Sequence, residues 1–456
     1  MIDKYKSEIL SSKSQLIDWF EKGCKPKNKW KVGTEHEKFA LKFNKQKNKY
    51  LPVSYDEENG INDILQEISK FGWKKILEKE KVIALKKCDQ SITLEPGGQI
   101  ELSGAPLYDI HSTCKETNEH LKLLKEVGNK LNIILLGLGS RPYENTIDIP
   151  WMPKERYKIM REYMPKKGAK GLDMMLSTCT VQANLDYSSE EDMIRKTSLA
   201  VRLQPAITAL FANSSFSLGN PNGFLSIRSH IWADTDSDRC GVLKVALEKD
   251  FSFKKYIDYA LSVPMYFVIR NNNYINCAGK SFADFMEGKL DQFPGERPTL
   301  KDWEDHISTI FTEVRLKKFI EVRGADAGSW SRTCALPAFW VGILYDQDCL
   351  EAAEKICKNW NFNDIKNLSQ EVSVSGLNTR IKNSNLLDLS KEFIAISKEG
   401  LRKRGIRDSA GQDETGYVGV LEEIVTLGKT PAETMIDNFT NKWNEDINKL
   451  IKGLSY

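Results

Sequence analysis

Two periods of apolar residues alternate along the chain. Residues 57–80 ("EENGINDILQEISKFGWKKILEKE") and 106–132 space their apolar side chains three and four apart and predict amphipathic helices flanking a strand pair over 90–103. "KLNIILLGLGS" reads as a buried strand and 189–212 as a helix. After about 333 the chain reads as mainly helical, with apolar spacing over 340–400 and 431–452. The opening "MIDKYKSEILSSKSQLIDWFEKG" spaces Ile9, Leu10, Leu16, Ile17 and Phe20 as one surface helix, and its early acidic residues fit neither a signal nor a transit peptide. "DIPWMPKERYKIMREYMPKKG", with three prolines around one helix, reads as an irregular segment lying over a site.

Period-two alternation carries the chemistry. In "VGTEHEKFAL" it places Gly33, Glu35, Glu37, Phe39 and Leu41 on one face, so two carboxylates share the side a strand normally buries. In "SITLEPGGQIELSGAP", Ser91, Thr93 and Glu95 share a face, as do Gln99, Glu101 and Ser103, while Ile92, Leu94, Ile100 and Leu102 point the other way. "STCTVQANLDY" lines up Thr178, Thr180, Gln182, Asn184 and Asp186. "FLSIRSHIW" lines up Ser226, Arg228, His230 and Trp232 as a fourth strand over 224–232. "KKFIEVRGAD" lines up Lys317, Phe319, Glu321 and Arg323. Strands with one apolar face each, one hairpin built in, predict an α+β fold with a mainly antiparallel sheet. Its polar front is costly to cover unless it lines a binding cavity.

Glu35, Glu37, Glu95, Glu101 and Glu321 on one face would repel each other unless cations sit among them. All-oxygen ligation suits Mg²⁺ or Mn²⁺ rather than zinc. Arg156, Arg228 and Arg323 add forked donors for a carboxylate or a phosphoryl group. For Glu35 and Glu37 taken alone, a solvated strand face or ion pairs with lysine fits the spacing equally well. Together the carboxylates and arginines describe nucleotide-dependent phosphoryl transfer. No G-x-x-x-x-G-K-[ST] and no G-x-G-x-x-G after a strand occurs, so neither a P-loop nor a Rossmann site is expected.

The 456 residues suit a single catalytic unit, with a core over about 28–345 and a mainly helical part over about 340–456. A net charge of +3 gives no reason to expect nucleic acid or a membrane surface as partner. Nine scattered cysteines exclude a secreted disulfide scaffold, and a soluble, cytoplasmic protein, monomer or homodimer, is expected. "ADTDSDRCG" reads as a solvated acidic turn: it lacks the Gly and Glu of a calcium loop. His36 and His230 read as packing residues rather than ligands, and the basic run Arg402, Lys403, Arg404 and Arg407 as a helix end.

The blocks "GTEHEKF", "LEPGGQIELSGAPL", "MPKERYKIMREYMP", "GLDMMLSTCTVQANLDYSSEEDMIRK", "GFLSIRSHIW" and "VRGADAGSWSRTCALPAFWVGILYD" resemble plant-type glutamate–cysteine ligase, a family also found in proteobacteria. The likeness runs from about 28 to 440. It implies a glutamine-synthetase-like fold and ATP-dependent ligation of the γ-carboxylate of L-glutamate to L-cysteine through a γ-glutamyl phosphate, the first step of glutathione synthesis. The resemblance further implies Glu35, Glu37, Glu95, Glu101, Glu321 and Gln182 as metal ligands or their supports. It implies Arg228, Arg323 and Glu37 as the catalytic set, and Arg156, Tyr157, Thr180, Arg228 and Trp232 as substrate contacts. Cys114 and Cys334 match a disulfide that occurs widely in the family; Cys277 matches half of a plant-specific one whose partner position is Gln292 here, so that bridge cannot form. A γ-glutamyl ligase with a different amine acceptor, or a silent redox-sensing relative using Cys114 and Cys334, would share the blocks.

Overall fold

In the computed structural model, which describes residues 8–456, a ten-stranded sheet forms the centre. Its strands are β1 (Val32–Asn44), β2 (Lys49–Pro52), β3 (Lys74–Glu78), β4 (Lys81–Lys87), β5 (Gln90–Leu94), β6 (Ile100–Ser103), β7 (Ile133–Leu136), β8 (Thr180–Leu185), β9 (Val314–Leu316) and β10 (Ile320–Asp326). They run in the order β9-β10-β8-β1-β6-β5-β4-β3, with β2 and β7 also on β1, and every pairing is antiparallel. β1 is long enough, at 13 residues, to pair with β6 and β8 in its first half and with β2 and β7 in its second. The expected α+β, mainly antiparallel architecture is what the chain forms.

The alternation sorts the two faces as expected. Behind β5 and β6, Ile92, Leu94, Ile100 and Leu102 share one apolar cluster with Ile64 and Leu65 of α2 (Ile61–Ser69) and with Leu124 and Val127 of α3 (Ile110–Leu131). Behind β8 and β10, Val181, Ala183, Ile320 and Val322 meet α6 (Glu190–Phe211) and α8 (Trp330–Leu344). Each fully buried Leu or Ile contributes roughly 1.5–3 kcal/mol. The front is covered by three short helices: α4 (Glu155–Tyr163), α5 (Gly171–Ser177) and α7 (Ile227–Ala233). Beyond α8, α9 (Leu386–Arg404) joins the cluster behind the sheet, and the helices Pro431–Asn441 and Ile447–Leu454 cover Phe39 and Leu41. The N-terminal helix, α1 (Lys13–Glu21), buries Leu16, Trp19 and Phe20; residues 1–7 lie outside the described residues. Among the described residues no helix is long and apolar enough to cross a membrane.

Three local expectations are corrected. Residues 57–80 are not one helix: α2 ends at Ser69, Gly72 turns the chain at φ +84°, and "KKILE" becomes edge strand β3, turning into β4 through Lys79 in the left-handed region at φ +55°. Residues 224–232 are not a strand: Ser226 caps α7, its hydroxyl accepting from Ser229 N–H at 3.2 Å, and Ile227 onward is helical. "ADTDSDRCG" is not simply solvated, because Asp236 and Arg239 form a fully buried ion pair at 2.7 Å.

Candidate active site

The four carboxylates of β1, β5 and β6 come together because register places them so. Glu37 is paired directly with Glu101 across β1 and β6, and Glu35 with Gln182 across β1 and β8. Glu95 ends the strand run of β5 at the Pro96-Gly97-Gly98 turn, where Gly98 takes φ +80° and its N–H donates to Glu95 O at 2.9 Å. That turn swings Glu95 beside Glu37 into one cavity. Thr93 donates to Glu101 at 2.7 Å, Thr180 N–H to Glu37 at 2.9 Å and Asn184 to Glu35 at 2.8 Å.

Those neutral donors do not balance the charge. Burial, then Glu321 and Glu101, push the Glu35 carboxyl up to about 7. Burial, then Glu101 and Glu95, raise Glu37 well above the ordinary range, and burial followed by Glu95 raises Glu101. Among the described residues no three His, Cys, Asp or Glu side chains are grouped closely enough to hold a metal ion as they stand. The donor set nevertheless fits a hard divalent cation: oxygen only, partly to fully buried, and mutually repelling.

Glu321 differs from the rest in what faces it. Arg315 donates to both its oxygens, at 2.5 and 2.8 Å, while Arg323 adds a contact at 3.0 Å and Lys317 one at 3.3 Å. Burial pushes its carboxyl up, but Arg315, Lys317 and Arg323 together hold it well below the usual range. Its compensating charge is a fork of protein cations. Gln182 is likewise engaged, accepting from Arg323 at 2.5 Å.

The cavity on the front of the sheet, about 80 Å³, is lined by Glu37, Glu95, Gln99, Thr180 and Arg323 from the sheet side and by Arg156, Tyr157, Arg228 and Trp232 from the helices, with Met160, Met174 and Met175 around them. Arg228 and Trp232 lie one turn apart on α7 and so share a side. Arg228 donates to Arg323 O at 2.8 Å, leaving its Nε without a protein partner. Arg156 Nε and Trp232 Nε1 are also buried and unpartnered, so three donors stand ready for a ligand. Tyr157 is spent on Leu94 O at 2.5 Å, and the Thr180 hydroxyl donates to Ala325 O at 2.7 Å. A larger open pocket, about 620 Å³, lies between residues 78–81 and 151–161 and shares Tyr157, but has none of the sheet-face carboxylates.

Three neighbours were not singled out from the sequence. Lys154, its ammonium lowered to about 8 by burial, with Glu95 opposing, donates to Leu94 O at 2.8 Å. Glu313, pushed up to about 7 by burial, feels Arg228. Asp326 ends β10 beneath Arg228. Only the side-chain alternation of β10, continued past its bulge, could have pointed to Asp326.

His36 faces away from the site, edge-on to His120, and His230 is exposed against Phe224. The basic run at the end of α9 is paired, Lys403 with Asp348 at 2.6 Å and Arg404 with Glu414 at 2.9 Å. Cys114 and Cys334, the pair matched to the family disulfide, are both buried. They are neighbours, since burial and then a hydrogen bond with Cys334 push the Cys114 thiol up.

A family model described as glutamate-cysteine ligase family 2 matches residues 31–453. The chain is 49% identical over 446 residues to glutamate–cysteine ligase A, chloroplastic, of Oryza sativa subsp. indica, covering 98% of this chain and 88% of the rice protein. It is 48% identical to the chloroplastic glutamate–cysteine ligase of Arabidopsis thaliana, covering 98% of this chain and 83% of that protein. Among solved structures, the Francisella tularensis glutamate–cysteine ligase in complex with AMP superposes with a TM-score of 0.56 at 14% identity, over 93% of this chain and 88% of that one. A bifunctional glutathione synthetase from Pasteurella multocida superposes at 0.52 and 13% identity, over 97% of this chain and 53% of that one. The two structures share the fold. The expected cytoplasmic location is overturned by the relatives, which are named chloroplastic. A soluble composition could not tell those two aqueous compartments apart.

Proposed function

The chain belongs to glutamate-cysteine ligase family 2, and on that premise we propose that it joins the γ-carboxylate of L-glutamate to the amine of L-cysteine at the expense of ATP. One observation carries the reading: Glu37, Glu95, Arg228 and Arg323 line one small cavity on the polar face of the sheet. A carboxylate is inert toward amines until it becomes an acyl phosphate, so the site must handle a carboxylate and a transferring phosphoryl group together.

Glu35, Glu37, Glu95 and Glu101, with Gln182 beside them, would hold Mg²⁺, or Mn²⁺ in its place. When bound, the cation neutralises charge on the phosphates of ATP as phosphoryl transfer proceeds. Arg228, anchored through Nη2 to Arg323 O and with its Nε unpartnered, lines the cavity as a clamp for the glutamate carboxylate and then for the γ-glutamyl phosphate. Arg323, held by Glu321 and Gln182, keeps a fixed positive charge beside the phosphates. Arg156, Tyr157, Thr180 and Trp232 shape the amino-acid pockets, and the methionines around them exclude water that would hydrolyse the acyl phosphate.

The test is ADP release with each component withheld in turn. ADP formation that needs glutamate, cysteine and a divalent cation together, with γ-glutamylcysteine identified by mass spectrometry, is expected. ADP formation indifferent to cysteine would overturn it, and a panel of amines would reveal a γ-glutamyl ligase with another acceptor.

A further inference from the structure

Asp326 is 2% exposed and sits at the end of β10, where two separate segments converge on its carboxylate. Oδ2 accepts from Asn213 N–H at 2.8 Å and from the Ser214 hydroxyl at 2.6 Å, both just past the end of α6. Oδ1 accepts from the Ser226 hydroxyl at 2.9 Å and lies 4.0 Å from Arg228 Nη1. The two serines pass the hold onward: Ser226 caps α7 through Ser229 N–H at 3.2 Å, and Ser214 Oγ accepts from Arg228 N–H at 3.2 Å. A Cβ at Gly139 would come within 2.5 Å of the Asp326 carboxylate, so that backbone is kept bare where the carboxylate lies. One side chain therefore fixes both the start of α7 and the head of the arginine that α7 carries.

A buried acid can also be simply a helix anchor. Two features go further here. α7 has only seven residues, too few to hold its direction by its own hydrogen bonds, so its aim depends on what grips its start. The grip also reaches the guanidinium itself, and both Arg228 and Trp232 line the cavity. We infer that Asp326 is a positioning residue for the acid substrate: through Ser214, Ser226 and Arg228 it sets the angle at which the Arg228 clamp meets the carboxylate and the acyl phosphate. The inference rests on the ligase reading of Arg228 given above. It assigns Asp326 to the glutamate half of the reaction and not to the nucleotide half.

Asp326→Asn is the sharp variant, because an amide accepts at only one of its two atoms and must leave some of these donors without an acceptor. Steady-state kinetics should show the glutamate KM raised about tenfold or more with kcat reduced, and the ATP KM changed by less than about threefold. In an Arg228→Ala background the same substitution should add less than about twofold, because its effect passes through the arginine. Ser226→Ala, which keeps the carboxylate and removes one link, should shift the glutamate KM in the same direction by a smaller factor, and serves if Asp326→Asn does not fold. Glutamate and ATP constants moving alike, or effects of Asp326 and Arg228 that multiply independently, would overturn the inference. The wild-type control separates the two readings. An inactive wild type overturns the ligase reading and this inference with it, whereas an active wild type with independent effects overturns the inference alone.

Discussion

Glu37 and Glu101 are direct cross-strand neighbours on the front of the sheet, two carboxylates in a position where like charges destabilise a pair. With Glu35 and Glu95 beside them, they make the protein's stability depend on protons or cations. Glu35 titrates near 7 in the folded protein against an ordinary 4.5. A carboxyl raised on folding favours the fold while protonated, so this contribution is fully present below about pH 4.5 and is lost as pH rises through about 7, at most about 3 kcal/mol. Urea unfolding in EDTA from pH 5 to 8 should show that loss, and millimolar Mg²⁺ should reverse it with release of protons. A flat profile in EDTA would mean the carboxylates are better solvated than their placement implies.

Removing one of these charges should separate stability from activity. Glu37→Gln keeps an oxygen to accept from Thr180 N–H, and Glu35→Gln keeps one for Asn184. Each relieves repulsion and should stabilise the cation-free protein by about 1–3 kcal/mol. Each should also lower kcat/KM by about a hundredfold or more and weaken Mg²⁺ binding. Thermal unfolding in EDTA beside kinetics in Mg²⁺ measures both; a stability loss would mark these residues as ordinary structural acids.

The face that carries this chemistry was legible because strand alternation is a strict rule: Glu35 and Glu37, Thr93 and Glu101, and Thr180 and Gln182 fall on one side of their strands. "FLSIRSHIW" misled because Arg228 and Trp232 satisfy both periods, being two steps of two and one step of four. What decides for helix is Ser226, whose cap is completed by Asp326, a hundred residues away and invisible locally. "KKILEKE" misled in the other direction: its Lys, Glu and Leu residues favour helix on propensity, yet it forms β3, where lysines guard an exposed sheet edge. Which carboxylates need a cation could not be read either, since Glu321 finds its partner Arg315 only through the β9–β10 register.

The paired thiols predict a reactivity contrast. Cys114 and Cys334 are buried, with Cys114 pushed up by burial, whereas Cys88 is exposed. Thiolate and access both govern alkylation, so iodoacetamide at pH 8 should label Cys88 first and leave Cys114 and Cys334 unmodified until the protein unfolds. Peptide mass spectrometry checks this. Early labelling of Cys114 in the native protein would show that the back of the sheet opens around α3.

Glu321 should behave in the opposite way to Glu37, although both are glutamates on the same sheet face. Its oxygens are taken by Arg315 at 2.5 and 2.8 Å, and Arg315 is itself 5% exposed. Glu321→Gln leaves that guanidinium buried beside a neutral amide, with Lys317 and Arg323 adding further positive charge. Breaking a buried pair from one side costs about 3–5 kcal/mol, so this variant should be strongly destabilised in EDTA and in Mg²⁺ alike. Its companion Arg315→Met with Glu321→Leu removes both charges and should recover much of the loss while leaving Arg323 held by Gln182 alone, giving a folded protein of lowered activity. If Glu321 instead held a cation, Glu321→Gln would stabilise the cation-free protein as Glu37→Gln does; the sign of the change in EDTA therefore decides between a metal ligand and an ion-pair partner.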